Sequence, residues 1–356
     1  MGIEEALQLV RDLMGVRRLA EAEGLVRRIL EVEPGYVTAM IELAQILEHT
    51  NRAEEAINTY DLSIQAEPRG ISFTRRAILL LRKHWGMPLA PRSGGGTDRI
   101  TCAVLGITGR FGNQLLQYAA PRLYADKHQL MAEFPDWIGR DLFDLNDPFI
   151  SGTLPTIAEE NVDILGALSG REPHSLAGHN LSGYFASNTA DYAGSKVEFR
   201  NLFRPGRRLA SVLNAWNAQL HAESRTLVAL HLRRGDFGGD RFWITPEHWY
   251  LEWLAGIWAS LERPLLYIAT DDNSVLKAFD AYQPVTSSQL GNALPGAEFY
   301  GDFYALTQAH CLAISNSSFS FVAAMLNERA TNFLRPDKAT QSLIAFDPWN
   351  APVRFP

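Results

Sequence analysis

Leu227-Val228-Ala229-Leu230-His231-Leu232-Arg233-Arg234-Gly235-Asp236 sets the architecture of this 356-residue chain. The run from Leu227 to Leu230 is short and apolar, which fits a strand buried inside a sheet. Two adjacent arginines then stand at its carboxyl end. A guanidinium is planar, always charged, and grips phosphate through paired N–H donors. Ligands of open α/β sheets collect outside the carboxyl ends of the strands. The segment therefore reads as the floor of a phosphate site. A plainer reading stays open, in which Arg233 or Arg234 forms a structural ion pair with Asp236.

On both sides of this stretch, short apolar runs alternate with amphipathic ones. Strands are expected over 100–107, 228–232, 265–269, 298–300 and 312–315. Helices are expected over 113–127, 207–224, 246–260, 273–281, 305–309 and 319–328. Strands alternating with helices imply parallel sheets. About 250 residues of this pattern, with two phosphate-like turns, imply an α/β protein of two Rossmann-like domains facing across a cleft. The expected divisions are 98–225 for the first, acceptor-side domain and 226–356 for the second, nucleotide-sugar domain with a C-terminal tail.

Residues 1–86 are of another kind. Pro34 and Pro68 each follow a similar stretch and lie 34 positions apart, the period of a tetratricopeptide repeat. The second unit carries Leu43, Ala44, Leu47, Ala56, Tyr60, Ser63 and Pro68 at the offsets of that repeat. The first unit, with Leu9, Leu13, Ala22, Val26, Ile29 and Pro34, matches more loosely. Two repeats leave a face uncovered, and 71–85 supplies a capping helix with Phe73, Ala77, Ile78, Leu81 and Trp85 at helical spacing. Such a module either docks a protein partner or serves packing and self-association. The proline, serine and glycines of 87–97 mark a linker.

Bulk composition narrows the function. The chain is 46% hydrophobic and 21% charged, ordinary for a globular protein. A net charge of −7 argues against a general binder of nucleic acid or anionic membrane, so a phosphate site must be a local basic pocket. Two cysteines, Cys102 and Cys311, make neither a disulfide framework nor a metal cluster. No basic leader precedes an apolar core at the N-terminus, and no apolar run approaches the roughly 18 residues of a membrane span. The expected location is the cytoplasm.

Three further segments carry chemistry. Gly106-Ile107-Thr108-Gly109-Arg110-Phe111-Gly112-Asn113-Gln114 follows a strand and opens a helix, where free N–H groups suit an anion. It lacks the spacing of a dinucleotide fingerprint and the lysine-hydroxyl pair of a P-loop. Thr270-Asp271-Asp272 ends another strand. A carboxylate there suits the paired N–H donors of guanine, or a metal under a sugar-nucleotide. Asp272 also precedes a helix as a natural cap. Ser315-Asn316-Ser317-Ser318-Phe319-Ser320 joins a strand to a helix, as a phosphate cradle or as plain capping by Ser317 or Ser318.

Together these segments resemble the α1,2/α1,6/O-fucosyltransferase superfamily, most closely its α1,2 members. Gly109 to Gln114 resembles the first family motif. His231 to Asp236 matches the histidine-x-arginine-arginine-x-aspartate motif, and Thr270 to Asp272 resembles the nucleotide-side motif. Asn316 to Ser320 is similar to the late motif, although Phe321 and Val322 stand where the α1,2 members carry tryptophans. The resemblance covers about residues 100–335 in the family's motif order and excludes the helical repeats.

That resemblance implies a GT-B fold and an inverting transfer of fucose from GDP-fucose to a glycan or protein hydroxyl, with no metal or other cofactor. It implies a donor site of Gly112, Asn113, His231, Arg233, Arg234, Asp271, Asp272, Asn316, Ser317, Ser318 and Phe319. Arg233 would hold the diphosphate, Asp271 would read guanine, and the Ser317/Ser318 turn would support phosphate. The base that takes the acceptor's proton is sought among the carboxylates after the arginines, with Asp236 and Glu247 as candidates beside Asp240 and His248. Trp243 lies in a loop within reach of an acceptor. The alternatives are a GT-B transferase of another nucleotide sugar, a metal-dependent one using Asp271 and Asp272, and an inactive binding or scaffold protein.

Overall fold

The computed structural model describes residues 2–87, 98–222, 225–239, 242–291 and 293–353. Its contacts separate a helical unit at the N-terminus from an α/β unit that holds nearly all the rest. Of the linker expected over 87–97, all but Met87 lies outside the described residues, as does Asp240.

The helical unit runs α1 (Ile3–Gly15), α2 (Leu19–Val32), α3 (Val37–His49), α4 (Ala53–Ala66) and α5 (Gly70–Trp85). Ala22, Ala44 and Ala56 are wholly buried, and their lack of bulk lets successive helices close on one another. Helices α2 and α4 stop just short of Pro34 and Pro68, because a residue preceding proline is pushed out of the helical region. Buried Tyr60 donates to Glu48 at 2.7 Å, and Glu48 is ion-paired to Arg75 of α5, which ties the capping helix to the repeat below it.

The α/β unit contains two parallel sheets. The first half comprises β1 (Arg99–Thr101), α6 (Phe111–His128), β2 (Met131–Glu133), α7 (Ile138–Leu142), β3 (Thr156–Ala158), α8 (Ile164–Ser169), β4 (Asn180–Ser182), α9 (Lys196–Leu202) and α10 (Arg207–Leu220). Its strands lie in the order β2-β1-β4-β3, all parallel. The second half comprises β5 (Thr226–Leu232), α11 (Glu247–Ile257), β6 (Pro264–Thr270), a 3₁₀ segment (Asn273–Tyr282), α12 (Tyr300–Gln308), β7 (Cys311–Ala313), α13 (Ser318–Leu326), β8 (Asn332–Asp337) and β9 (Ser342–Ala345). Its order is β6-β5-β7-β8-β9, parallel except for the last pair. Strand β5 lies between β6 and β7 and is buried on both faces, as its apolar run requires.

Two expectations are corrected. The strand expected over 100–107 ends at Thr101. There the Asn180 side chain accepts hydrogen bonds from Thr101 Oγ1 (3.0 Å) and from the Ala103 N–H (2.8 Å), diverting the backbone from the ladder. The strand expected over 298–300 is instead the lead-in to α12, because Tyr300 and Phe303 bury themselves at helical spacing. A three-residue apolar run does not distinguish the two states.

Aromatic side chains fuse the two halves. Phe111, which opens α6 in the first half, lies 4.7 Å from Phe299 and 5.1 Å from Phe303 of the second, and Phe303 lies 5.3 Å from Phe319. The C-terminal segment crosses back as well: the Trp349 ring is 5.4 Å from Phe199, and the Thr189 N–H donates to the Ala351 carbonyl at 3.0 Å. Cys102 and Cys311 are free and buried. Among the described residues no helix is long and apolar enough to cross a membrane.

Candidate active site

In the second sheet the chain leaves β5 toward β6 and β7 toward β8, in opposite directions. Connections diverge at such a point and leave a crevice at the strands' carboxyl ends. The arginine motif follows β5, and the Ser315 to Phe319 turn follows β7. His231 spans this point in the second sheet, with its Nδ1 2.8 Å from the Ser315 hydroxyl and its ring 5.3 Å from Phe319. It is 6% exposed, so it braces the two turns from beneath instead of presenting a ring to ligand.

The adjacent arginines divide their work. Successive side chains at a strand's end point to opposite sides. Arg234 turns inward, where its guanidinium donates to the Arg233 carbonyl (3.0 Å), the Thr245 carbonyl (3.1 Å) and Glu247 (2.8 Å). Arg233 turns toward the crevice. Its Nη1 meets Asp271 Oδ2 at 2.6 Å, its Nη2 bonds Asp236, and its guanidinium lies 5.5 Å from the Phe237 ring centroid. The ion-pair reading is realised at Arg233, which bonds Asp236, while Arg234 pairs with Glu247 instead.

Each carboxylate has a definite partner. Asp271 accepts the Arg234 N–H at 2.7 Å with one oxygen and Arg233 with the other, so it braces the arginine turn. Asp272 points away and caps the following 3₁₀ segment by accepting the Ser274 N–H at 2.9 Å, the bond that lowers its pKa. The two adjacent aspartates thus diverge. Burial raises the pKa of Glu247, but the hydrogen bonds from Arg234 and from its own backbone N–H, with the nearby positive charge, together outweigh it and leave the group below its ordinary value. Asp236 shows the same balance, with burial opposed by Arg233 and then Arg110 and the net shift downward.

The β7 turn is shaped by capping. Ser317 accepts the Phe319 N–H at 3.3 Å and so starts α13, with Ser318 as its first residue. Asn316 donates to the Trp243 carbonyl at 3.0 Å, while its Oδ1 is buried with no hydrogen-bond partner. Trp243 is half-buried against Trp249, at 5.7 Å between ring centroids.

The first half meets this turn through Gly112. A Cβ built there would stand 2.4 Å from the Phe319 nitrogen and 2.5 Å from the Ser318 carbonyl carbon, so only glycine permits this approach of α6 to α13. Asn113 is half-buried one residue on. Arg110, just before the helix, reaches Asp236 at 3.2 Å. The loop after β4 lies against this glycine turn. The Tyr184 ring stands 2.9 Å from where a Cβ on Gly109 would be, a position whose φ of +74° suits glycine. Glu159 fixes this loop by accepting the N–H groups of Tyr184 (2.9 Å) and Phe185 (2.7 Å).

The structure thus joins residues from four separated segments. Arg110, Tyr184 and Glu159 do not stand out as site residues in the sequence. Only Arg110 carries a local signal, a cation inside a glycine turn; the other two depend on where β3 and β4 lie. His310 accepts the Leu227 N–H at 3.0 Å and so ties β7 to β5.

Burial, and then Arg233 and Arg234, push the His231 pKa down to about 3. An unfolded histidine takes its proton near pH 6.5. Below that pH the unfolded chain gains a proton that the folded chain refuses until about pH 3. His231 is therefore expected to cost about 1.4 kcal/mol of stability per unit of falling pH in this window. Urea melts at pH 6.5 and 5 should show a shallower loss for His231→Gln than for the parent chain. Equal slopes would show that His231 is not a buried neutral group.

Comparison with solved structures brings up fucosyltransferases. A crystal structure of NodZ α1,6-fucosyltransferase soaked with GDP-fucose is 15% identical, with a TM-score of 0.49, and the match covers 71% of this chain and 99% of that one. The same enzyme co-crystallised with GDP gives 14% identity and a TM-score of 0.46, and fucosyltransferase NodZ from Bradyrhizobium gives 13% and 0.46, at the same coverage. No curated protein matches the chain. Residues 13–71 match the tetratricopeptide-repeat family model.

Proposed function

We propose that this chain is a GT-B glycosyltransferase that moves fucose from GDP-fucose to a hydroxyl of a glycan or protein acceptor, with inversion and without a metal. One observation carries the reading. The four segments that resemble fucosyltransferase motifs come together at the carboxyl ends of β1, β5, β6 and β7, through Arg110–Asp236, Arg233–Asp271, His231–Ser315 and Gly112 against Phe319.

Breaking the bond between fucose and diphosphate leaves negative charge on GDP. Arg233 offers a fixed guanidinium where that charge would form, 14% exposed and braced by Asp271. Asp271 keeps lone pairs for the N–H donors of guanine. The N–H groups at the start of α13, shaped by Ser317 and Ser318, add neutral donors for phosphate, and Asn113 approaches from the first half. Of the two candidate bases, Glu247 is committed to buried Arg234, whereas Asp236 is 54% exposed beside Arg233. The base role is assigned to Asp236.

A nucleotide screen by thermal shift tests the donor. A ligand that binds only the folded state stabilises it by about 2.7 kcal/mol at a hundred times its Kd, worth roughly 5–10 °C in a unit of this size. GDP should raise the melting temperature more than UDP or ADP at equal concentration. Equal shifts from all three would remove guanine from the proposal.

A further inference from the structure

Arg110 and Arg233 come from opposite halves of the α/β unit, yet they meet on one carboxylate. Asp236 bonds Arg233 Nη2 with one oxygen and lies 3.2 Å from Arg110 Nη2 with the other. Two guanidiniums converging on a single anion describe a site built for a bidentate anion, and an aspartate fills that position here.

Charge and mobility say which anion gives way. Among the described residues around the arginine turn, the ion pairs match Arg110, Arg233 and Arg234 with Asp236, Asp271 and Glu247, three against three. A nucleoside diphosphate entering this balance would leave excess negative charge unless a carboxylate withdrew. Asp271 and Glu247 are fixed by the backbone of Arg234 or its buried guanidinium. Asp236 is 54% exposed, stands in a turn with Gly235 and Gly238, and among the described residues has exposed Arg110 and largely buried Arg233 as its ion-pair partners.

The geometry points to Asp236 as an internal stand-in for the diphosphate: the incoming pyrophosphate displaces it and takes over both guanidiniums, so that Arg110 is a diphosphate-binding residue contributed by the first half. This rests on the donor reading above and adds to it a residue and an exchange. Arg110 is 66% exposed, so its truncation leaves the core intact.

The test measures GDP and inorganic pyrophosphate binding to the full chain by titration calorimetry, for the parent, Arg110→Ala, Arg110→Lys and Asp236→Asn. Arg110→Ala should weaken both ligands about tenfold or more, the worth of a charge-assisted bond, and Arg110→Lys should restore part of the loss. Asp236→Asn should tighten both several-fold, because the competing anion is gone. Unchanged binding by Arg110→Ala, or binding by Asp236→Asn that is no tighter, would overturn the inference. Pyrophosphate binding that follows this pattern without any preference of GDP over UDP would sink the guanine reading and leave the exchange standing. A parent chain that binds neither ligand would end both.

Discussion

Arg233→Ala is expected to lower fucosyl transfer by at least about a hundredfold, the effect of removing one preorganised donor from a site where charge develops, about 2.7–4 kcal/mol. The structure explains why the loss should be large. Arg233 is held by Asp271 at 2.6 Å, a contact that stays when the diphosphate replaces Asp236, so it need not reorganise when the leaving group departs. Its removal also leaves Asp271, fixed by the Arg234 N–H, facing the diphosphate with no cation between them. Arg233→Lys keeps the charge but loses the planar fork, and should recover only part of the activity. Steady-state kinetics should show the fall in kcat/KM, with a melting curve to establish that each variant folds. Turnover of Arg233→Ala within a few-fold of the parent would refute its role.

Gly112→Ala is expected to be the most damaging one-carbon change at the site. The added methyl group would stand 2.4 to 2.6 Å from backbone atoms of Ser318 and Phe319. No side-chain rotamer relieves such a contact, so α6 must move away from α13. Overpacking of this kind costs about 1–3 kcal/mol, or several degrees of melting temperature in a unit of this size. The displacement would also separate Phe111 from Phe299 and Phe303 and move Arg110 and Asn113 away from the crevice. Lower stability and weaker GDP binding should therefore appear together. A variant with parental melting temperature and affinity would show that the two helices do not approach as described.

The arginine pair shows how far local reading reaches. Its place at the end of a buried strand was legible, since an unbroken apolar run followed at once by two cations fits a strand that leaves the core at a charged crevice. The division of labour between the two was not, because it depends on the pleat of β5 and on Glu247 and Asp271, 13 and 37 positions away. The Asp271–Asp272 pair divides similarly: capping by Asp272 follows from its neighbours, while Asp271 is captured by an arginine turn on the adjacent strand. His231 read as part of a donor motif, and the fold places it beneath that motif as a brace to Ser315. Strands β2, β3 and β4 have three residues each and no clear alternation, so Glu159 and Tyr184 had no local signal.

Taken alone, the sequence determined what depends on neighbours along the chain. That includes the repeat period marked by Pro34 and Pro68, the buried strand before Arg233, the alternation that requires parallel sheets, and the caps at Asp272 and Ser317. Tertiary structure alone decided which groups share the crevice: Arg110 with Asp236 and Arg233, Gly112 with Phe319, and Tyr184 with Gly109. The physical reason is that capping and periodicity act within a turn or two of backbone, whereas a charge or a close contact is set by distance in space. Only the pairing order of the two sheets brings residues as far apart in the chain as Arg110 and Asp236 to a common point.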